Sequence, residues 1–318
     1  MKNIITKIKE NGGFVNAHSH IDRANTASYF SKDEQYAFLK EKWKLVDKIK
    51  NQSSISDYKD RMLKCIEDQK SFGVTALLSF IDIDDIAGFR AIDAACEIKQ
   101  ELDFDFKIAC QTLKGVLTPK YEMMIEFQMS QIDIIGSLPS ADQDKSKHID
   151  RVMRWAKIYD KRLHVHVDQL NTAEEKETEL LARKTMEWGL EDKVTAVHSI
   201  SLSCHPKHYR DEIYKMSRDA GLSFVSCPSA WIDHPRREDL APIHNSITPV
   251  DELIENDLIV AIGSDNITDV YKPYCDGDMV FELRMLLEAC KIYDEDELVK
   301  IATTNGRKVL GISLTNLV

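Results

Sequence analysis

Eight short runs rich in β-branched and apolar residues recur along the chain, spaced by longer amphipathic stretches. They lie near Gly13–Ala17, Val74–Phe80, Phe104–Cys110, Ile132–Ile135, Leu163–Val167, Val194–His198, Leu222–Ser226 and Leu258–Ile262. Helical patterns occupy Asp57–Ser71, Asp85–Glu101, Ser146–Tyr159, Ala173–Trp188 and Pro206–Ala220. Within the second of these, Ile86, Phe89, Ile92 and Cys96 return at the spacing of one helix face. Asn171-Thr172 before Glu174-Glu175 reads as a helix start, and Gly73, Gly189 and Gly221 fall where helices should stop. The run Glu174-Glu175-Lys176-Glu177 reads as a solvated helix face. Eight strands alternating with helices over 318 residues is the pattern of a closed (β/α)8 TIM barrel, an α/β fold. An open doubly wound sheet is the competing arrangement, but no glycine-rich phosphate loop opens the first helix. With no internal repeat or linker-like tract, residues 1–318 are expected to form one domain.

Composition narrows the partners. Lysine and arginine total 42 against 53 aspartates and glutamates, a net charge of −11. That balance argues against nucleic acid and anionic membranes, both of which reward positive charge. No run approaches the roughly 18 apolar residues of a membrane span, and the first residues lack the apolar core of a secretory signal. The seven cysteines are scattered without a CxxC pair, as expected of reduced thiols in a cytoplasmic protein.

Chemistry concentrates at the strand ends. In Asn16-Ala17-His18-Ser19-His20, two histidines two residues apart on extended backbone project to the same side. Leu163-His164-Val165-His166-Val167-Asp168 alternates strictly, with the apolar side chains on one face and His164, His166 and Asp168 on the other. The sixth strand ends on His198, and the eighth runs through Ala261 and Gly263 to Asp265. A barrel gathers the carboxyl ends of its strands around one mouth, where His18, His20, His166, His198 and Asp265 would converge. Imidazoles with one carboxylate suit zinc or another borderline divalent metal and leave room for a water whose pKa the metal lowers.

This constellation resembles the amidohydrolase superfamily. More closely, His166-Val167-Asp168-Gln169 resembles the His-Cys-Asp-Glu segment of bacterial cytosine deaminases. Gly263-Ser264-Asp265-Asn266, with Asp269 and Tyr271 following, is similar to their Gly-His-Asp-Asp stretch. The resemblance runs from about Asn16 to Gly311. It implies that His18, His20, His166 and Asp265 bind a single divalent metal, zinc or iron. Asp265 would also take a proton from the attacking water, and His198 would polarise the attacked carbon's substituent. The fourth strand, Ile132–Gly136, has no lysine of the kind that bridges two metals in hydantoinase-like members.

The departures shape the substrate expectation. Gln169 stands where cytosine deaminases carry a proton-shuttling glutamate, and a carboxamide is no general acid at neutral pH. Aligning the turn after strand three on its glycine gives Leu113-Lys114-Gly115, which loses the base-reading glutamine and puts the cation Lys114 toward the substrate. Asn266 replaces a second aspartate, and Trp231 could stack on a planar ring. His164 and Asp168 read as supports for the ligands. The chain ends leave no room for the small β-sandwich of many superfamily members. The leading expectation is a metal-dependent hydrolase attacking a C–N bond of a small N-heterocycle. Alternatives are hydrolysis of an amide or lactam at the same metal, and a non-catalytic metal- or ligand-binding barrel. Superfamily barrels often form homo-oligomers, and no sequence feature specifies how this chain would.

Overall fold

A computed structural model of the chain describes residues 1–230 and 246–313. The β-branched runs form eight strands: β1 (Phe14–Ser19), β2 (Val74–Asp82), β3 (Asp105–Gln111), β4 (Ile134–Ser137), β5 (Arg162–Val167), β6 (Val194–His198), β7 (Ser223–Ser226) and β8 (Ile259–Ile262). They pair in sequence order, and every pairing is parallel. A parallel bridge between Ser19 and Asp265 brings the last strand back to the first. The expected (β/α)8 TIM barrel is the fold.

The helices that describe the rest are α1 (Lys2–Glu10), α2 (Lys32–Gln35), α3 (Leu39–Leu45), α4 (Asp47–Gln52), α5 (Ile55–Ser71), α6 (Arg90–Glu101) and α7 (Pro119–Phe127). After them come α8 (Lys145–Ile158), α9 (Glu177–Trp188), α10 (Lys207–Asp219), α11 (Val250–Glu255), α12 (Met279–Cys290), α13 (Glu295–Ala302) and α14 (Thr304–Leu310). Gly189 closes α9 in left-handed backbone, and Gly73 and Gly221 take positive φ just beyond α5 and α10, as the stop signals required.

The period-2 pattern of the strands sorts their side chains into two cores. Leu163, Val165 and Val167 of β5, with Val260 and Ile262 of β8, join the layer packed under the helices. Val15, Ala17, Phe80, Val197 and Ala261 fill the barrel interior with Val309 and Leu310 of α14. Gly263 is demanded by closure: a Cβ there would stand 2.7 Å from the His18 Cβ and 2.8 Å from its carbonyl oxygen.

Two local expectations fail. The helix after β5 begins at Glu177, not near Ala173, because the side chain of Asp168 reaches past the intervening loop to cap it. Its Oδ1 accepts the Glu177 N–H at 2.7 Å and its Oδ2 the Thr178 N–H at 3.0 Å. The charge run is therefore no solvated face: Glu174 and Lys176 are exposed, but Glu175 and Glu177 are buried. Likewise α6 starts at Arg90, since Asp84 Oδ1 accepts the N–H groups of Ile86 and Ala87 and holds them in a turn.

Candidate metal centre and its cavity

The ends of β1, β5, β6 and β8 bring five side chains together. Oδ1 of Asp265 lies 3.2 Å from Nε2 of His18 and 3.2 Å from Nε2 of His20. Nε2 of His20 is 3.5 Å from Nε2 of His166. Donor atoms of His18, His20 and Asp265 fall within 4.8 Å of one another, as do those of His18, His166 and His198. His18 thus belongs to both clusters, and His198 joins the centre through His18 and His166.

Each side chain is aimed by its backbone. His166 Nδ1 lies 3.0 Å from the Ser137 carbonyl, which can only accept, so the proton sits on Nδ1 and Nε2 keeps its lone pair. Strand parity would point His198 toward the helices, because its neighbour Val197 faces the interior. Left-handed backbone at His198 (φ 75°) and Ser199 (φ 49°) breaks that parity. It leaves the His198 ring 5.3 Å from the rings of both His18 and His166. The backbone before Asp265 is held by Asn16, which accepts from the Ser264 N–H at 3.0 Å, and by Lys272, which donates to the Ser264 carbonyl at 2.6 Å.

Electrostatics favour neutral imidazoles and a charged carboxylate. Burial lowers the pKa of His18 and takes that of His166 well below its ordinary value. Burial, reinforced by the Arg23 charge, does the same to His20, and burial takes His198 down to about 4. For Asp265 burial works the other way, but the His18 and His20 imidazoles set against its oxygen hold its carboxyl well below the usual carboxylate range. Neither ring nitrogen of His18 nor Nδ1 of His198 has a hydrogen-bond partner among the described residues. Lone pairs directed at one another in a buried site, beside a carboxylate, fit a bound divalent cation. The donor set is suited to zinc or iron.

The expected supports divide. Asp168 is a structural anchor for the loop that carries Gln169, as its capping of α9 shows. Glu175 holds the far side of that residue, its Oε2 accepting the Leu170 N–H at 2.7 Å and the Ser201 hydroxyl at 2.8 Å. His164 faces inward, yet its Nε2 donates to the Val309 carbonyl of α14 at 3.1 Å, away from the centre.

A narrow cavity, open to solvent at its mouth, adjoins the centre. Gln169 and Asn266 line it as expected, and Asn266 Nδ2 donates to Asp269 at 2.6 Å. Lys114 does not line it: the ammonium pairs with Asp47 at 2.5 Å. Trp231 lies outside the described residues. Three lining residues with polar or aromatic side chains escaped the sequence reading. Gln111, whose buried Oε1 has no hydrogen-bond partner among the described residues, brings a glutamine where alignment on Gly115 implied its loss. Trp43 comes from α3, and Arg23 from a 3₁₀ turn at Ile21–Arg23. The signal for Arg23 was its place three residues after His20; Trp43 had none.

Known proteins bear on this arrangement. The sequence model of the Amidohydrolase family matches residues 29–313. The chain is 42% identical over 260 residues to an uncharacterised protein of Haemophilus influenzae, covering 78% of this chain and 92% of that one. It is 25% identical over 313 residues to the N-isopropylammelide isopropyl amidohydrolase of a Pseudomonas species, covering 94% of this chain and 74% of that one. Among solved structures, the 5-methylcytosine deaminase of Klebsiella pneumoniae with phosphonocytosine superposes with a TM-score of 0.86 at 23% identity, covering 94% of this chain and 75% of that one.

Proposed function

Since the chain belongs to the Amidohydrolase family, a family of enzymes that hydrolyse C–N bonds, we propose that it releases ammonia or an amine from a small N-heterocycle by metal-dependent hydrolysis. The observation that carries this reading is the pair of donor clusters, His18 with His20 and Asp265 and His18 with His166 and His198, which share His18 beside a cavity. The 25% identity to an amidohydrolase acting on N-isopropylammelide supports a heterocyclic substrate.

His18, His20, His166 and Asp265 would hold the cation, which would polarise the substrate and bring the pKa of a water toward neutrality. Asp265, kept ionised, accepts the proton from the attacking water and passes it toward the leaving nitrogen. His198, neutral at physiological pH, lies on the substrate side and donates a hydrogen bond to the developing oxyanion or the departing group. Gln169 orients the ring by hydrogen bonds from the cavity wall and transfers no proton.

A second reading, hydrolysis of a cyclic amide, is favoured by one observation: a carboxamide, Gln169, lines the cavity where a proton donor is expected. A metal-polarised carbonyl needs less proton assistance before its tetrahedral intermediate. The separating experiment is a screen of zinc-loaded protein for ammonia release from aminopyrimidines, aminotriazines, pterins and purines, with Asp265→Ala as blank. Metal-dependent ammonia from one ring class supports the first reading. Silence there, with ring opening of a lactam to a new carboxylate, replaces it with the second.

A further inference from the structure

Arg23 is a buried cation with more donors than its neighbours use. It is 6% exposed and lines the cavity beside His20. A guanidinium presents five N–H donors in a rigid plane. Among the described residues its one hydrogen bond is Nη1 to Asp82 Oδ2 at 3.3 Å, and its Nε is 3.6 Å from Asp269 Oδ2 with no hydrogen bond.

Of the three carboxylates whose charge reaches it, Asp22 accepts from the Asp82 N–H at 3.0 Å, and Asp82 and Asp269 are engaged more closely by other groups. Lys50 takes Asp82 at 2.8 Å. Asp269 accepts from Asn266 Nδ2 at 2.6 Å and from the N–H groups of Tyr271 at 2.8 Å and Lys272 at 3.1 Å. The Tyr271 ring lies 5.1 Å from the guanidinium carbon and limits the directions left to it. The surrounding carboxylates keep the guanidinium charged against its burial, yet an N–H with no close acceptor gains from one that arrives in the cavity. The cavity cation that the sequence placed at Lys114 is thus supplied by Arg23.

Resting on the hydrolase reading for the chemistry at the metal, we propose that Arg23 recognises an acidic, oxo-substituted N-heterocycle by donating to a ring oxygen that carries negative charge at neutral pH. A guanidinium pairs with such an oxygen through short, charge-assisted bonds. An amino or protonated amidine edge in the same place would set donors against donors. Arg23 is therefore a specificity residue that selects the oxo, anionic edge of a ring and leaves its C–N bond to the metal.

The test is calorimetric binding of barbiturate, a planar ring that is anionic at neutral pH, and of uracil, its neutral counterpart, to zinc-loaded protein. The wild type is expected to prefer barbiturate by roughly tenfold or more, and R23Q to lose most of that preference while binding uracil within about threefold of wild type. R23Q that binds barbiturate as tightly as wild type overturns the proposal, as does a wild type with no preference. Should R23Q not retain its zinc, R23K decides: it keeps the charge but not the planar fork, and an undiminished preference overturns the proposal. Binding needs no turnover, so the two readings fail separately. Protein that binds barbiturate through Arg23 yet hydrolyses nothing keeps this inference and loses the hydrolase reading. Turnover of neutral aminopyrimidines, unchanged in R23Q, does the reverse.

Discussion

The N–H of Asp265 donates to the carbonyl of His18 at 3.0 Å, and the carboxylate of the same aspartate lies 3.2 Å from the imidazole of the same histidine. The bond that joins the last strand to the first is thus made by two residues of the candidate metal centre. Closing the barrel and assembling the centre are one event, because neither residue can be placed without the other.

Gly263 guards that joint. A methyl group there would press on the His18 backbone and Cβ, so β8 and β1 must separate. Gly263→Ala should lower stability by about 1–3 kcal/mol and weaken zinc binding measured against a competing chelator. A variant that keeps wild-type zinc affinity would show that closure and the centre are independent.

Gln169→Glu supplies a carboxyl on the wall of the cavity. If proton transfer is what aminopyrimidines lack, their turnover should rise by up to about 10²–10⁴-fold, the range of general acid–base assistance. Unchanged or lower rates, measured by ammonia release, would show that the carboxamide itself is needed by the true substrate.

Glu175 gives a pH dependence with a definite sign. Burial, with the charges of Glu177 and Asp168, raises its pKa to about 8 from an ordinary 4.5. The folded protein therefore keeps this proton after the unfolded chain has released its own. The contribution to stability is complete below the unfolded pKa and is lost as pH rises toward about 8. Glu175→Gln, which still offers an acceptor to Leu170 and Ser201, should flatten the fall in melting temperature between about pH 5 and about pH 9. Its advantage at the alkaline end should be on the order of 1–3 kcal/mol. Parallel curves for the two proteins would contradict this assignment.

Lys114→Ala removes a partly exposed pair with Asp47 outside the cavity. It should change stability by about 1 kcal/mol or less and leave kcat/KM within about threefold of wild type. A larger loss confined to KM would return Lys114 to the substrate.

The barrel and its candidate metal ligands were legible because each is written in a local pattern. Alternation in Leu163–Asp168 assigned His166 to the interior, and the His18-Ser19-His20 spacing assigned two ligands at once. The cavity wall was not legible in the same way. Arg23, Trp43 and Gln111 come from a 3₁₀ turn, a short helix and a strand end that meet only in the folded mouth, and no periodicity links them. Alignment on Gly115 hid Gln111, which closes β3 four residues before that glycine. The buried pair Glu175 and Glu177 looked solvated because each alternates with an exposed residue, and charge alone does not reveal a capping aspartate upstream of a loop.

Titration of the metal-stripped protein with zinc, following hydrolysis of a responsive heterocycle, tests the central claim most directly. Turnover should climb in proportion to added metal and break at one equivalent per chain, with Asp265→Ala silent throughout. Turnover that survives metal removal, or that needs a second equivalent, would contradict a single-metal hydrolase built on His18, His20, His166 and Asp265.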